Sequence, residues 1–258
     1  MTLFLMKLIG APLFLAAATL AARRWGETIG GLIIALPLVS GPISVFLAAE
    51  NGAQFAVNAG LGSLAGTAAL AYFGFTYASF CPKGRLLAVA LGLFVFASVS
   101  FILDALRLSL PWLFLVTIFS IVLMSRLTPV RKEKAQKRQP MKHDLLMRMG
   151  FMAVMTIAVT VAAPFIGPSV SGIVSSLPLM ALTMALFAQP KGRSPSEAQK
   201  VMKGLVSGLM STAVFYVVLF FVLHDGALAA GYSIASAAAI LMQGLCLLYL
   251  KKCRPLHD

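Results

Sequence analysis

The residues of this chain that could do chemistry are few, and most of them gather around two prolines. Ser40, Gly41 and Ser44 follow Pro37, while Ser171, Ser175 and Ser176 precede Pro178. A proline inside an apolar helix removes one backbone donor and clashes with the turn before it. The carbonyl oxygens freed in this way must find neighbours, water or a ligand when the helix lies in lipid. Hydroxyls beside such a break can bind a solute or relieve the backbone, and a simple packing kink accounts for the same residues. Farther along, Glu50, Asn51, Gln54 and Asn58 form a short polar stretch. It reads either as an outward vestibule, with Glu50 available for ion coupling or cation binding, or as an exposed loop. Asp104 and Asp225 carry the same two readings.

Reaction signatures are missing from the chain. There is no Gly-x-Ser-x-Gly elbow, His-Glu-x-x-His pair, Walker loop or dinucleotide fingerprint. His143, His224 and His257 fall in predicted loops. Cys81, Cys246 and Cys253 have no paired spacing and no neighbouring ligand residues, which argues against a disulfide framework or a zinc site. The expectation is a protein that is not an enzyme and needs no cofactor or metal.

The elements that must position these residues are set by composition. Hydrophobic residues make up 60% of the 258 and charged residues only 11%, with mean hydropathy +0.93. Ordinary soluble domains carry about 25% charged residues. Stretches of roughly 20 apolar residues, each enough to cross a bilayer core as a helix, recur along the chain. Alternation of the kind a membrane β-barrel needs is not seen. Nine candidate spans follow: 2–22, 29–49, 54–78, 86–103, 108–126, 145–163, 169–188, 201–223 and 227–250. The stretch 86–126 is divided in two because Asp104, Arg107 and Pro111 interrupt it.

Loop charges orient the spans. Arg23 and Arg24, Lys83 and Arg85, the run Arg131–Lys142, Lys191 to Lys200, and Lys251 to Arg254 all fall in alternate loops on one side. Basic loops mark the cytoplasm, so the N-terminus is predicted outside and the C-terminus inside a bacterial-type inner membrane. This placement explains the net charge of +13 without nucleic acid as a partner. Membrane lipids and a small-molecule substrate are the expected partners, and the bases at 128–144 are positioned to touch anionic headgroups. The first span is expected to stay uncleaved, because its basic pair follows the apolar stretch. Lys7 and Arg148 are expected to snorkel to the interfaces.

Self-similarity then organises the nine spans. Gly26, Gly31, Leu36-Pro37-Leu38 and Phe46 recur 141 residues later as Gly167, Gly172, Leu177-Pro178-Leu179 and Phe187. After one residue of slippage, Gly62 and Gly66 match Gly204 and Gly208. Glycine and proline matches carry weight because those residues dictate backbone geometry. A duplication of spans 1–4 as spans 6–9 leaves span 5 as a linker, and the odd count inverts the second copy. The predicted fold is all-α and polytopic, with about nine transmembrane helices in two inverted four-helix repeats. Its units are 1–103 for the first repeat, 104–127 for the linker helix, 128–144 for a basic cytoplasmic loop, and 145–258 for the second repeat with a short tail. The Gly-x-x-x-Gly spacings in spans 3 and 8 permit close helix approach, within the chain or across a homodimer.

The half-unit resembles the small four-helix GlpM-like inner-membrane proteins. The resemblance rests on Gly31, Pro37, Glu50 and Gly52 in the first half and on Gly172 and Pro178 in the second. It covers mainly residues 20–80, and the second half has Gln189-Pro190 where the acidic residue would stand. The four-plus-one-plus-four plan also looks like that of drug/metabolite-type transporters, in which short units pair antiparallel. These likenesses imply an architecture and no substrate. Inverted repeats with broken helices recur in secondary transporters. The expected function is therefore transport or export of a small solute, with a site between spans 2 and 7 around Pro37, Ser40, Gly41, Ser44, Glu50, Asn58, Ser175, Ser176 and Pro178. A non-transporting scaffold, or a flippase for a lipid-linked intermediate in envelope biosynthesis, is the alternative.

Overall fold

The computed structural model describes residues 2–38, 41, 44–45, 48, 53–131, 144–162, 178–189, 194–222 and 228–253. Among them every regular element is a helix, and we number these α1 (Thr2–Trp25), α2 (Glu27–Ile34), α3 (Ala53–Phe80), α4 (Arg85–Ala105), α5 (Leu110–Leu127), α6 (Asp144–Ala162), α7 (Leu179–Ala188), α8 (Ser196–Val222) and α9 (Leu228–Cys253). Four stretches within this set are long and apolar enough to cross a bilayer: Arg85–Ala105, Leu110–Leu127, Ser196–Val222 and Leu228–Leu250, with mean hydropathies of 2.7, 1.9, 2.2 and 1.8.

The exposure pattern is that of a protein solvated by lipid. Leu86, Phe94, Phe119, Phe221, Ile240 and Leu241, spread over four helices, all point outward. The interior, conversely, holds Thr19, Thr117, Ser120, Thr183, Gln199 and Ser211 at or near zero exposure. Thr117 returns its hydroxyl to the Leu113 carbonyl at 2.8 Å, and Ser120 does the same to Val116 at 2.7 Å. Hydroxyls satisfied on their own helix can be buried without water.

Helix α8 is the axis of the bundle, buried over most of its length and packed against α2, α3, α5, α7 and α9. It starts at Ser196, five residues before the apolar stretch begins at 201. The Ser194-Pro195 pair explains the difference: the Ser194 hydroxyl accepts the Ser196 N–H at 3.0 Å, and the Pro195 carbonyl receives Gln199 N–H at 3.0 Å. Serine before proline is a helix-start signal that hydropathy does not register. Between α4 and α5, the predicted interruption is a turn around Arg107, whose φ of 43° is left-handed, and Pro111 sits in the first turn of α5, where its missing N–H costs nothing.

Polar contacts tie helix ends together at one end of the bundle. Arg23, at the end of α1, reaches Asp144 at the start of α6. Arg85, opening α4, donates to the Gln189 carbonyl just after α7 at 3.0 Å. The Gln199 amide on α8 donates to the Ala78 carbonyl on α3 at 2.9 Å and accepts the Arg131 N–H, beyond α5, at 2.9 Å. Cys81 lies in this layer at 1% exposure, and burial pushes its thiol up to about 12. Thiolate is the reactive form, so Cys81 is protonated up to strongly alkaline pH. In folded protein at pH 8, maleimide should therefore leave Cys81 unmodified, with complete modification only after denaturation. Mass spectrometry of the Cys81 peptide checks this.

Candidate functional site

The second apolar stretch is interrupted where its proline predicts. Helix α2 ends at Ile34, residues 35–38 form a turn, and helical backbone is described again at Gly41, Ser44, Val45 and Ala48. Pro37 cannot supply the N–H that the Ile33 carbonyl would take four residues on. Leu36 N–H fills that place at 3.1 Å, and the Gly41 N–H returns to the Pro37 carbonyl at 2.9 Å.

Two oxygens at the break are held by side chains from the other half of the chain. The Thr212 hydroxyl on α8 donates to the Ala35 carbonyl. The Gln243 amide on α9 donates to the Leu32 carbonyl, which also accepts the Ala35 N–H at 3.1 Å. Because a carbonyl only accepts, the amide must turn its NH2 toward Leu32, which directs its oxygen elsewhere. That oxygen is shielded from solvent and has no donor among the described residues. Farther along, the buried Ser44 hydroxyl pairs with the Tyr232 hydroxyl of α9 at 2.7 Å.

Glycines set how closely these elements approach. A Cβ at Gly204 would run into the Thr28 carbonyl and stand 3.0 Å from Leu32 N, and one at Gly31 would collide with the Val201 carbonyl. A Cβ at Gly208 would lie 2.7 Å from Ala35 Cβ and 3.1 Å from the Gln243 amide nitrogen. Backbone thus touches backbone where α2 crosses α8. Beyond the crossing, a Cβ at Gly41 would meet the Phe215 ring at 3.5 Å, and Ala48 joins an apolar cluster with Phe215, Leu219, Tyr232, Ala235 and Ala239. The described residues between Thr28 and Ala48 therefore lie along a groove made by α8 and α9. Gly204 and Gly208 pack inside the chain.

Of the predicted site residues, Pro37, Gly41 and Ser44 come together here. Pro178 is buried and opens α7, with its carbonyl receiving Leu182 N–H at 2.8 Å. Helices α2 and α7 touch at Gly30, whose Cβ would stand 2.9 Å from Met184. Ser40, Glu50, Ser175 and Ser176 lie outside the described residues, as does the Asn58 side chain. The side chains not anticipated are Thr212, Tyr232 and Gln243. Their signal in the sequence is a polar residue inside an apolar span.

A second polar cluster corrects one expectation outright. Arg148 does not snorkel: it is fully buried. Its Nε stands 3.2 Å from both Asp144 oxygens, its Nη2 donates to the Phe187 carbonyl at 3.1 Å, and its Nη1 meets the Met184 sulfur at 3.6 Å. The guanidinium also lies 5.4 Å from the Phe187 ring centre. Arg23 reaches the same Asp144 at 2.8 Å. Asp144 belongs to the first turn of α6, and not to the loop that precedes it. There it sits where helix dipoles favour a carboxylate. Glu27, buried in the first turn of α2, adds a second acid in the layer into which α1 leads.

The site can accept and donate hydrogen bonds beside an interrupted helix, and among the described residues it presents no nucleophile paired with a base. No family model matches the chain, and neither a curated protein nor a solved structure matches it.

Proposed function

We propose that this chain is a secondary transporter or exporter of a small solute, embedded in a bacterial-type inner membrane as nine spans in two inverted repeats. The observation that carries the reading is the break at residues 35–38, where Thr212 from the opposite half donates to the Ala35 carbonyl and Gln243 to the Leu32 carbonyl just before it. Side-chain donors of this kind can be exchanged for solute groups, as the broken helices of inverted-repeat carriers require. The donorless Gln243 oxygen supplies a position for a solute N–H or O–H. Pro37, Ser40, Gly41 and Ser44 would line one wall, with Thr212, Tyr232 and Gln243 opposite.

Several features support the nine-span, inverted plan. Helices α1, α3 and α6 are 24, 28 and 19 residues long, and about 20 suffice to span the core. Packing comes in matched pairs: α1 on α2 with α6 on α7, α3 on α4 with α8 on α9, and α3 on α5 with α8 on α5. Three further contacts, α1 on α6, α2 on α7 and α3 on α8, join each helix to its own counterpart. Arg23, Arg85 and Arg131 meet at one end of the bundle, which the positive-inside rule assigns to the cytoplasm.

Reporter fusions at residues 51 and 192 should report opposite sides of the membrane, and agreement between them overturns the inversion. For transport, a metabolite screen by thermal stabilisation of the purified protein should yield a solute whose effect disappears in Gln243→Leu. A broad screen without a hit, combined with co-purification of a synthase, would make the chain a scaffold.

A further inference from the structure

Helices α5 and α9 are both packed on α8 but diverge from each other, leaving an open groove of about 340 Å³ whose lining includes Ile121, Ser125, Arg126, Met210, Met242 and Tyr249. The volume is in the range of small-molecule sites. From Tyr249 to Met242 the groove runs seven residues along α9, about 10 Å of helix rise. Its chemistry changes along that length. One end has Arg126 in the last turn of α5, together with Tyr249 and the Ser125–Ser207 hydroxyl pair at 3.0 Å. Lys203 adds a second cation there, donating to the Ser125 carbonyl. Lys252, exposed three residues after Tyr249, brings a third to the same face of α9. The other end is closed by thioether and aliphatic groups. The groove's mouth is continuous with the outward apolar surface formed by Phe119 and Val122 on α5 and by Leu241, Leu245 and Leu248 on α9.

We infer that this groove binds one anionic phospholipid from the surrounding bilayer. The phosphate sits at Arg126, with the Ser125 and Ser207 hydroxyls beneath it, and one acyl chain lies over Met210 and Met242. A lipid fits where a free solute does not, because the opening is lateral and its rim is apolar. The cations at one end select a negative headgroup, as basic clusters at a membrane surface do. Arg126 is suited to the phosphate because its guanidinium can donate two parallel hydrogen bonds. Methionines fit a flexible chain because they repack easily. The lining shares no residue with the turn at 35–38, nor with Thr212 or Gln243, so the assignment does not depend on what is transported there.

Delipidated full-length protein in detergent, titrated with dioleoylphosphatidylglycerol and read by native mass spectrometry, tests the assignment. One retained adduct is expected, with no comparable adduct from dioleoylphosphatidylcholine. Arg126→Gln should lower its occupancy about fivefold, the loss of one cation facing an anionic surface, whereas Arg24→Gln, an exposed base at the same end, should not. Met210→Trp, which fills the groove without touching a charge, should also abolish the adduct in protein that elutes normally on size exclusion. Glycerol 3-phosphate at millimolar concentration should not compete, since the acyl chain contributes. Equal retention of the two lipids, or wild-type retention in both Arg126→Gln and Met210→Trp, overturns the assignment, and competition by glycerol 3-phosphate makes the site one for a soluble phosphate.

Discussion

Arg148→Leu is expected to lower the melting temperature of the purified protein by roughly 6–20 °C, from a loss of about 3–5 kcal/mol. Removing one member of a buried charged network costs this much because its partners stay behind without their compensation. The side chain is 1% exposed, and it joins a carboxylate on α6 to a carbonyl on α7. Asp144 keeps Arg23 at 2.8 Å, but that second arginine is 27% exposed on its side chain and reaches only one oxygen. The Phe187 carbonyl, one residue from the end of α7, loses its Arg148 donor. Phe187 itself is held edge-on to Phe151 at 5.9 Å, so α6 and α7 would loosen together. Arg148→Lys should recover only part of the loss, because an ammonium cannot grip a carboxylate and a carbonyl in one plane. Melting followed by light scattering in detergent measures all three proteins. A leucine variant melting within 2 °C of wild type would show that the cluster contributes nothing to the fold.

The second large effect is expected at the crossing of α2 and α8. Gly204→Ala and Gly31→Ala each place a methyl against backbone, not against a side chain that could swing away. Overpacking of this kind costs about 1–3 kcal/mol and more where nothing can yield, and close helix approach in membranes depends on small residues. Either substitution must push α2 off α8, which also pulls the Ala35 and Leu32 carbonyls away from Thr212 and Gln243. Both stability and any activity should therefore fall together. Gly150→Ala is the contrasting case, since nothing lies within 4 Å of a Cβ there. It should be neutral or gain up to about 1 kcal/mol from helix propensity. Gly62, the repeat counterpart of Gly204, also has open space. If Gly204→Ala melts like Gly150→Ala, the two helices do not cross as closely as described.

Much of this architecture is legible in the residues themselves, for identifiable reasons. Apolar length reports helices because a chain in lipid must satisfy its backbone internally. Asp104, Arg107 and Pro111 mark the turn between α4 and α5, and Pro37 marks the break after α2, because proline acts on its own backbone. What escapes is everything that depends on how one helix is set against another. Thr212 and Gln243 are single polar residues in apolar spans, and no periodicity says that they come to rest on residues 32 and 35. Arg148 looks like an interfacial arginine because it lies one turn inside its span. Its burial follows from α1 and α7 closing over the start of α6, which no local pattern records. The acid that holds it, Asp144, sits on the boundary that hydropathy draws least well.

The break in the first half has a consequence for biosynthesis. Its carbonyl oxygens at residues 32 and 35 find their side-chain donors at residues 243 and 212, more than 170 positions downstream. While the chain emerges, the interrupted segment waits for side-chain partners not yet translated. Until α8 is made, the Ala35 carbonyl lacks the Thr212 hydroxyl and must find another donor, such as water. Completion of the last helical hairpin is thus the step that makes the N-terminal half durable, and the chain's order of synthesis runs opposite to its order of need.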